Sequence, residues 1–181
     1  ESGLRVEGEL PKDLLGTYFR NGPNPIHQPE NRYHPFDGDG MVHAVSFCQG
    51  EAAYRNRYVD TVALAEERQA GRSMSNGVMG PFDFEVSPFG IKDTSNTDLF
   101  YYAGGLMTLW YNAGHPYRLN PQTLETEGYF ELEEHQQEHQ NFHGLMVHHS
   151  ITVMIHLVEY IHGIHQNPMT ILHPVHNKFV L

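Results

Sequence analysis

Fourteen histidines carry the most obvious chemistry in this chain, and ten of them lie from His135 onward. Neutral imidazole nitrogens are good ligands for zinc, nickel and ferrous iron. His135, His139 and His143 fall at i, i+4 and i+8, one face of a helix if residues 131–141 are helical. Such spacing can chelate zinc or nickel, as can the adjacent pair His148 and His149. The other four, His27, His34, His43 and His115, sit among turns and short strands and read as structural side chains. Asp37 and Asp39, alternating with Gly38 and Gly40, hint at a calcium loop. They lack its third carboxylate and its downstream bidentate Glu, so a turn is expected there. Cys48 is the single cysteine. It excludes an internal disulfide, fits a reducing compartment, and is expected to be a small buried hydrophobe rather than a nucleophile.

Charge narrows the field of partners. Eleven Lys and Arg stand against 22 Asp and Glu, a formal charge of −11. Nucleic acid is excluded as a partner, because phosphate recognition needs clustered cations. No apolar run approaches the roughly 20 residues of a membrane-spanning helix. No secretory signal pattern opens the chain, which starts without Met and so reads as processed or cut. These features point to a cytoplasmic protein in at most peripheral contact with a membrane.

The elements that must position any site read as β structure. Turn clusters recur at Arg20-Asn21-Gly22-Pro23-Asn24-Pro25, Phe36-Asp37-Gly38-Asp39-Gly40-Met41, Gln49-Gly50, Ser87-Pro88, Gly104-Gly105 and Asn120-Pro121. Gly allows positive φ, Pro fixes φ, and Asn or Asp bonds back to its own backbone. Between them run short alternating segments. Residues 41–47 place Met41, His43, Val45 and Phe47 on one face, and pair across Gln49-Gly50 with residues 53–59 as a hairpin. A second hairpin is expected from residues 99–102 across Gly104-Gly105 to residues 106–110. Residues 117–119 lead into Asn120-Pro121, and residues 123–130 follow. Only residues 62–71 have helical composition, with Gly71 as the stop. Short strands with regular turns argue for an all-β sandwich, barrel or propeller. Residues 71–91 are loop-like yet apolar, through Met74, Val78, Met79, Phe82, Phe84, Val86, Phe89 and Ile91. They form either a cover over the core or an apolar lip for a hydrophobic ligand or a membrane surface.

Composition changes near Glu134. Beyond it only Glu138, Glu159 and Lys178 carry formal charge, and glycine nearly disappears. Two regions follow: residues 1–134, rich in strands and turns, and residues 135–181, an atypical histidine-rich segment.

The first region resembles the carotenoid cleavage dioxygenases, which include apocarotenoid and lignostilbene oxygenases and the visual-cycle retinoid isomerase. The resemblance is carried by Leu10-Pro11 to Gly16-Thr17, by Arg20-Asn21-Gly22-Pro23, and by the run from His34 to His43. Residues 57–61, Asn96-Thr97 and residues 114–128 complete it, although Asp60 stands where that family usually has a basic residue. The resemblance implies a seven-bladed β-propeller with a non-haem Fe(II) on its axis, held by four histidines, three of them oriented by glutamates on their far ring nitrogens. It implies an apolar tunnel for a polyene or stilbene, and O2 as the oxidant that splits a carbon–carbon double bond into two carbonyls. Imidazole suits Fe(II), and carboxylates on the far ring nitrogens would fix ring orientation.

A blade needs about 40–45 residues, so this length supplies a partial propeller of about three blades, and the chain is expected to be a fragment of such an enzyme. Where the resemblance implies a first orienting glutamate, after residues 106–110, the chain has Tyr111-Asn112. Asn112 could accept a bond from an imidazole N–H without supplying charge. Three readings of the tail stay open. His143 stands about as far beyond Trp110 as the resemblance puts the first iron ligand, although Phe142-His143-Gly144 departs from the family's Ser-Ala-His-Pro context. Alternatively the tail forms its own histidine metal site, or it is unrelated sequence beginning after Glu134, as a shifted reading frame would produce. The functional alternatives to an oxygenase fragment are a non-catalytic module that binds apolar ligands and a histidine-rich metal binder.

Overall fold

The computed structural model describes residues 4–29, 32–85, 90–110 and 114–130, together with a backbone strand at Lys178–Val180. The described chain is all-β apart from one helix. β1 (Gly16–Asn24), β2 (Asp39–Cys48) and β3 (Glu51–Tyr58) form an antiparallel meander. α1 (Val62–Ala70) follows, and then β4 (Asp98–Tyr102), β5 (Gly105–Leu109), β6 (Tyr117–Leu119) and β7 (Thr126–Tyr129) form a second one. β8 (Lys178–Val180) returns to the free edge of β1, setting Thr17 opposite Val180 and Phe19 opposite Lys178. The described residues thus contain two four-stranded antiparallel sheets. Chain length suggested about three blades, and the remaining length lies outside the described residues.

Both hairpins turn through two residues with positive φ: Gln49 (51°) with Gly50 (85°), and Ala103 (45°) with Gly104 (79°). That geometry matches the right-handed twist of the flanking strands. In the second hairpin Gly105 belongs to the strand rather than the turn, so the turn falls one residue earlier than the sequence suggests. α1 follows its sequence signals. The Thr61 hydroxyl accepts from Leu64 N at its start, and Gly71 (φ 69°) closes it with its N–H on Glu67 O. β7 starts later than expected, because Asn120 Oδ1 captures the N–H groups of Gln122 and Thr123 and holds residues 120–125 as a turn.

The core lies between the sheets. Phe19, Val42, Ala44 and Val59 on one side meet Leu99, Leu106, Tyr117, Leu119 and Leu124 on the other. Burying a Leu, Val or Phe side chain contributes roughly 1.5–3 kcal/mol. On β2 the deep face is therefore Val42 and Ala44, whereas Met41, His43, Val45 and Phe47 share the opposite, half-buried face. Cys48 departs from expectation: it is exposed, because it is the last residue of β2, beside the tight turn and opposite Glu51.

One close approach joins the two halves. Gly40 N donates to Thr94 O at 2.8 Å, and Gly40 O accepts from Val59 N at 2.8 Å. A Cβ on Gly40 would lie 2.8 Å from Thr94 O and nearer still to Ser95 O. Ser95 cannot easily yield, since its carbonyl accepts from Asn21 Nδ2 and its hydroxyl bonds Thr108 Oγ1 at 2.8 Å. Gly40→Ala is expected to lower stability by about 3 kcal/mol through backbone overpacking. Urea unfolding measures this, and a midpoint equal to that of the parent chain would contradict the contact.

Candidate functional site

The densest polar construction lies where the Asp37–Gly40 turn meets α1 and residues 91–96. Residues 35–37 form a short 3-10 turn capped by His34, whose Nδ1 accepts from Phe36 N at 3.2 Å. The Asp37 carboxylate accepts from His34 N and from Val78 N, both at 2.8 Å. It rests against Gly77 (φ +72°), where a Cβ would stand 2.6 Å from Oδ2. Asp37 therefore fastens the segment after α1 to the corner between β1 and β2.

Asp39 faces a different partner. Its Oδ1 accepts from Lys92 Nζ at 2.9 Å, and its Oδ2 accepts from Ile26 N at 3.1 Å. Lys92 Nζ also donates to Glu67 Oε2 at 2.7 Å. Glu67 Oε1 in turn accepts from Met74 N and the Ser73 hydroxyl. Asp39, Glu67 and Lys92 are only 2%, 1% and 7% exposed. Two carboxylates and one ammonium thus share a site that excludes solvent, and every carboxylate oxygen has a donor. Asn96 completes the frame by donating to Phe36 O and Gly38 O at 2.9 and 2.6 Å.

Beside this triad lies a cleft of about 250 Å³ of empty space, counting its open mouth. Phe36, Val78, Ile91 and Trp110 give it apolar walls, and Ser75, Lys92 and Thr94 give it polar ones. On the segment that includes Val78, Met74, Met79, Phe82 and Phe84 are exposed, between 41% and 69%. Residues 71–85 are thus an apolar lip rather than a cover, whereas Ile91 is buried and Val86 and Phe89 lie outside the described residues.

The neighbouring carboxyl, Asp93, has no cation beside it among the described residues. Burial against Gly114 pushes its pKa from 3.8 up to about 7, opposed by a hydrogen bond from Ser95 N. Burial, then Arg20, holds His43 below the usual imidazole range. Its Nδ1 shares a 2.6 Å hydrogen bond with the Tyr54 hydroxyl. Burial, then the bond to Tyr129, pushes the Tyr117 hydroxyl up; its oxygen accepts from Val62 N.

Of the histidines expected to be structural, His34 caps a turn, His43 bonds Tyr54 and His115 packs edge-on to Tyr129 at 5.4 Å, while His27 is half-buried. Asp37 and Asp39 sit in the expected turn, and their carboxylates accept from backbone N–H groups and, at Asp39, from Lys92. Among the described residues no group of three or more His, Cys, Asp or Glu could hold a metal ion, so these residues do not fit an iron site. His143, His135, His139, His148, His149 and Asn112 all lie outside the described residues. Lys92, Glu67 and Thr94 escaped the sequence reading. Their one signal is Glu67 three residues after Leu64 on the buried face of α1.

The family model described as retinal pigment epithelial membrane protein matches residues 1–163, a span that runs past Glu134 and includes His143. Apocarotenoid-15,15'-oxygenase of Synechocystis is 37% identical over 139 residues, which cover 70% of this chain and 27% of that protein. The crystal structure of Pseudomonas brassicacearum lignostilbene dioxygenase matches with a TM-score of 0.60 at 30% identity, covering 71% of this chain and 27% of that one. Cobalt-substituted Synechocystis apocarotenoid oxygenase matches at 0.59 and 34% identity, over 72% of this chain and 28% of its own. The chain spans about a quarter of the length of the curated relatives it matches.

Asp93 gives a pH dependence with a definite sign. Its folded pKa of about 7 lies above the unfolded value, so between roughly pH 4 and 7 the folded state keeps a proton that the unfolded chain has released. Its contribution to stability is complete below that window and is lost as pH rises through it, by about 4 kcal/mol in total at ~1.4 kcal/mol per unit. Asp93→Asn does not titrate. Its stability advantage over the parent chain is expected to grow from pH 4 to pH 7 and then level off. Urea titrations across that range test it, and an advantage that does not vary with pH would contradict the assignment.

Proposed function

This chain belongs to the retinal pigment epithelial membrane protein family, and we propose that it forms part of an oxygenase acting on apolar polyenes or stilbenes. The reaction splits a carbon–carbon double bond with O2 and yields two carbonyl products. The observation that carries this reading is the family match across residues 1–163, with relatives named for apocarotenoid, resveratrol and lignostilbene substrates. The exposed Met79, Phe82 and Phe84 support an apolar substrate, because contact between such a patch and a hydrophobe removes apolar surface of both from water.

Ferrous iron, when bound, supplies the activation of O2, and the cobalt-substituted relative supports a resident metal. His143 is the ligand we assign to this chain, since it lies within the matched span. The described sheets supply a frame: Asp37, Asn96 and the Lys92 triad fix the backbone around the cleft, and Val78, Ile91 and Trp110 give it apolar walls. The four-stranded sheets and the quarter-length coverage support a partial propeller, to be completed by further chain. The single cysteine supports a reducing, cytoplasmic setting. A second reading, a module that holds apolar ligands without chemistry, is favoured by the same exposed patch.

Loaded with Fe(II) and supplied with O2, the 181-residue chain is expected to release no aldehyde from an apocarotenal or from resveratrol above a metal-free control. With one assigned ligand it is expected to bind Fe(II) weakly in equilibrium dialysis, and His143→Ala to bind less. Aldehyde above the control would contradict the partial-enzyme reading. Equal iron in both proteins would remove His143 from the ligand set.

A further inference from the structure

The cleft beside the Lys92 triad holds hydrogen-bonding capacity that the protein itself does not use. Thr94 is 2% exposed, and its hydroxyl has no hydrogen-bond partner among the described residues. An ammonium carries three N–H donors. Lys92 gives one to Asp39 and one to Glu67, which leaves a third. The Ser75 hydroxyl accepts from Gly77 N at 3.2 Å, and its own proton has no acceptor among the described residues. All three side chains line the same cleft. Asp37 lines it too, but both its oxygens already accept backbone N–H groups.

Three donors around one small space call for an acceptor, and a buried hydroxyl without a partner is costly to leave so. Most of the about 250 Å³ is open mouth, and the enclosed part has room for about one water-sized group. It fits a single oxygen and not a polyene. Its remaining walls, Val78, Ile91 and Trp110, are apolar, and Met79 and Phe82 stand exposed on the segment that carries Val78. We infer that this cleft is a binding site for a single acceptor oxygen: the carbonyl oxygen of an apolar aldehyde, or a water that the aldehyde displaces. The oxygen sits on Thr94, Ser75 and Lys92, and the hydrocarbon body lies toward the lip. The choice of an aldehyde rests on the oxygenase reading above, whose products are carbonyls; the acceptor site itself does not.

Trp110 is the chain's one tryptophan and lines the cleft, so its fluorescence reports occupancy. The test uses the full 181-residue chain with citral, an apolar conjugated aldehyde, and with myrcene, a hydrocarbon of similar size without oxygen. Citral is expected to quench Trp110 saturably, and myrcene is not. Thr94→Val, which keeps the shape and removes the hydroxyl, is expected to weaken citral at least tenfold and to lower Tm. Thr94→Ser, which keeps the hydroxyl, is expected to bind citral within twofold of the parent chain. A lower Tm in Thr94→Val without saturable citral quenching in the parent chain supports the site with water as its occupant. A higher Tm in Thr94→Val, or undiminished citral binding there, overturns the site. None of these readouts depends on turnover, so failure of the oxygenase reading would leave them interpretable.

Discussion

A positive charge buried between two negative ones sets the conditions for everything around it. Lys92 reaches Asp39 from β2 and Glu67 from α1, which are 53 and 25 residues away in sequence. Removing such charges from water costs several kcal/mol each, and their attraction offsets this only when geometry and remaining hydrogen bonds are satisfied. Here they are: Ile26 N, Met74 N and the Ser73 hydroxyl occupy the outer carboxylate oxygens. The arrangement is possible only in one relative placement of β2, α1 and residues 91–96. The same placement brings Gly40 against Thr94 and forms the cleft.

The fastening of the apolar lip follows from that placement. Asp37, two residues before Asp39, pins Val78, and Glu67 pins Met74, so both ends of this short stretch are tied to buried carboxylates. What lies between and beyond can then expose Met79, Phe82 and Phe84 without loosening the core. A segment free of such ties would be expected to fold its methionines and phenylalanines inward. The polar network and the exposed apolar surface are therefore two consequences of one set of contacts, and the match to oxygenases of apolar substrates gives that surface a use.

Local features were legible in the sequence, and long-range ones were not. Gln49-Gly50 and Asn120 announce their turns because the chemistry acts within a few residues. Thr61 and Gly71 bracket α1 for the same reason. The Asp37–Gly40 cluster was legible as a bend but not as a hub, since the partners of its carboxylates, Val78 and Lys92, are 41 and 53 residues away and carry no periodic signal. Lys92 and Glu67 resemble any solvated charges until both are known to be buried. Cys48 shows the opposite failure. Residue type favours burial, but a strand's last residue beside a tight turn faces water. The lineage was legible from ordered motifs, and the family match bears it out. The candidate metal ligand, His143, lies outside the described residues.

The central claim is that the Lys92 charge holds three segments in register. A double-mutant comparison by urea unfolding tests it most directly. Lys92→Met alone leaves two buried carboxylates uncompensated and is predicted to cost about 3–5 kcal/mol. In the Asp39→Asn, Glu67→Gln background the same change is predicted to cost less by at least about 2 kcal/mol, a coupling of the size seen for residues in one network. Equal costs in both backgrounds, or a Lys92→Met chain as stable as the parent, would contradict the account.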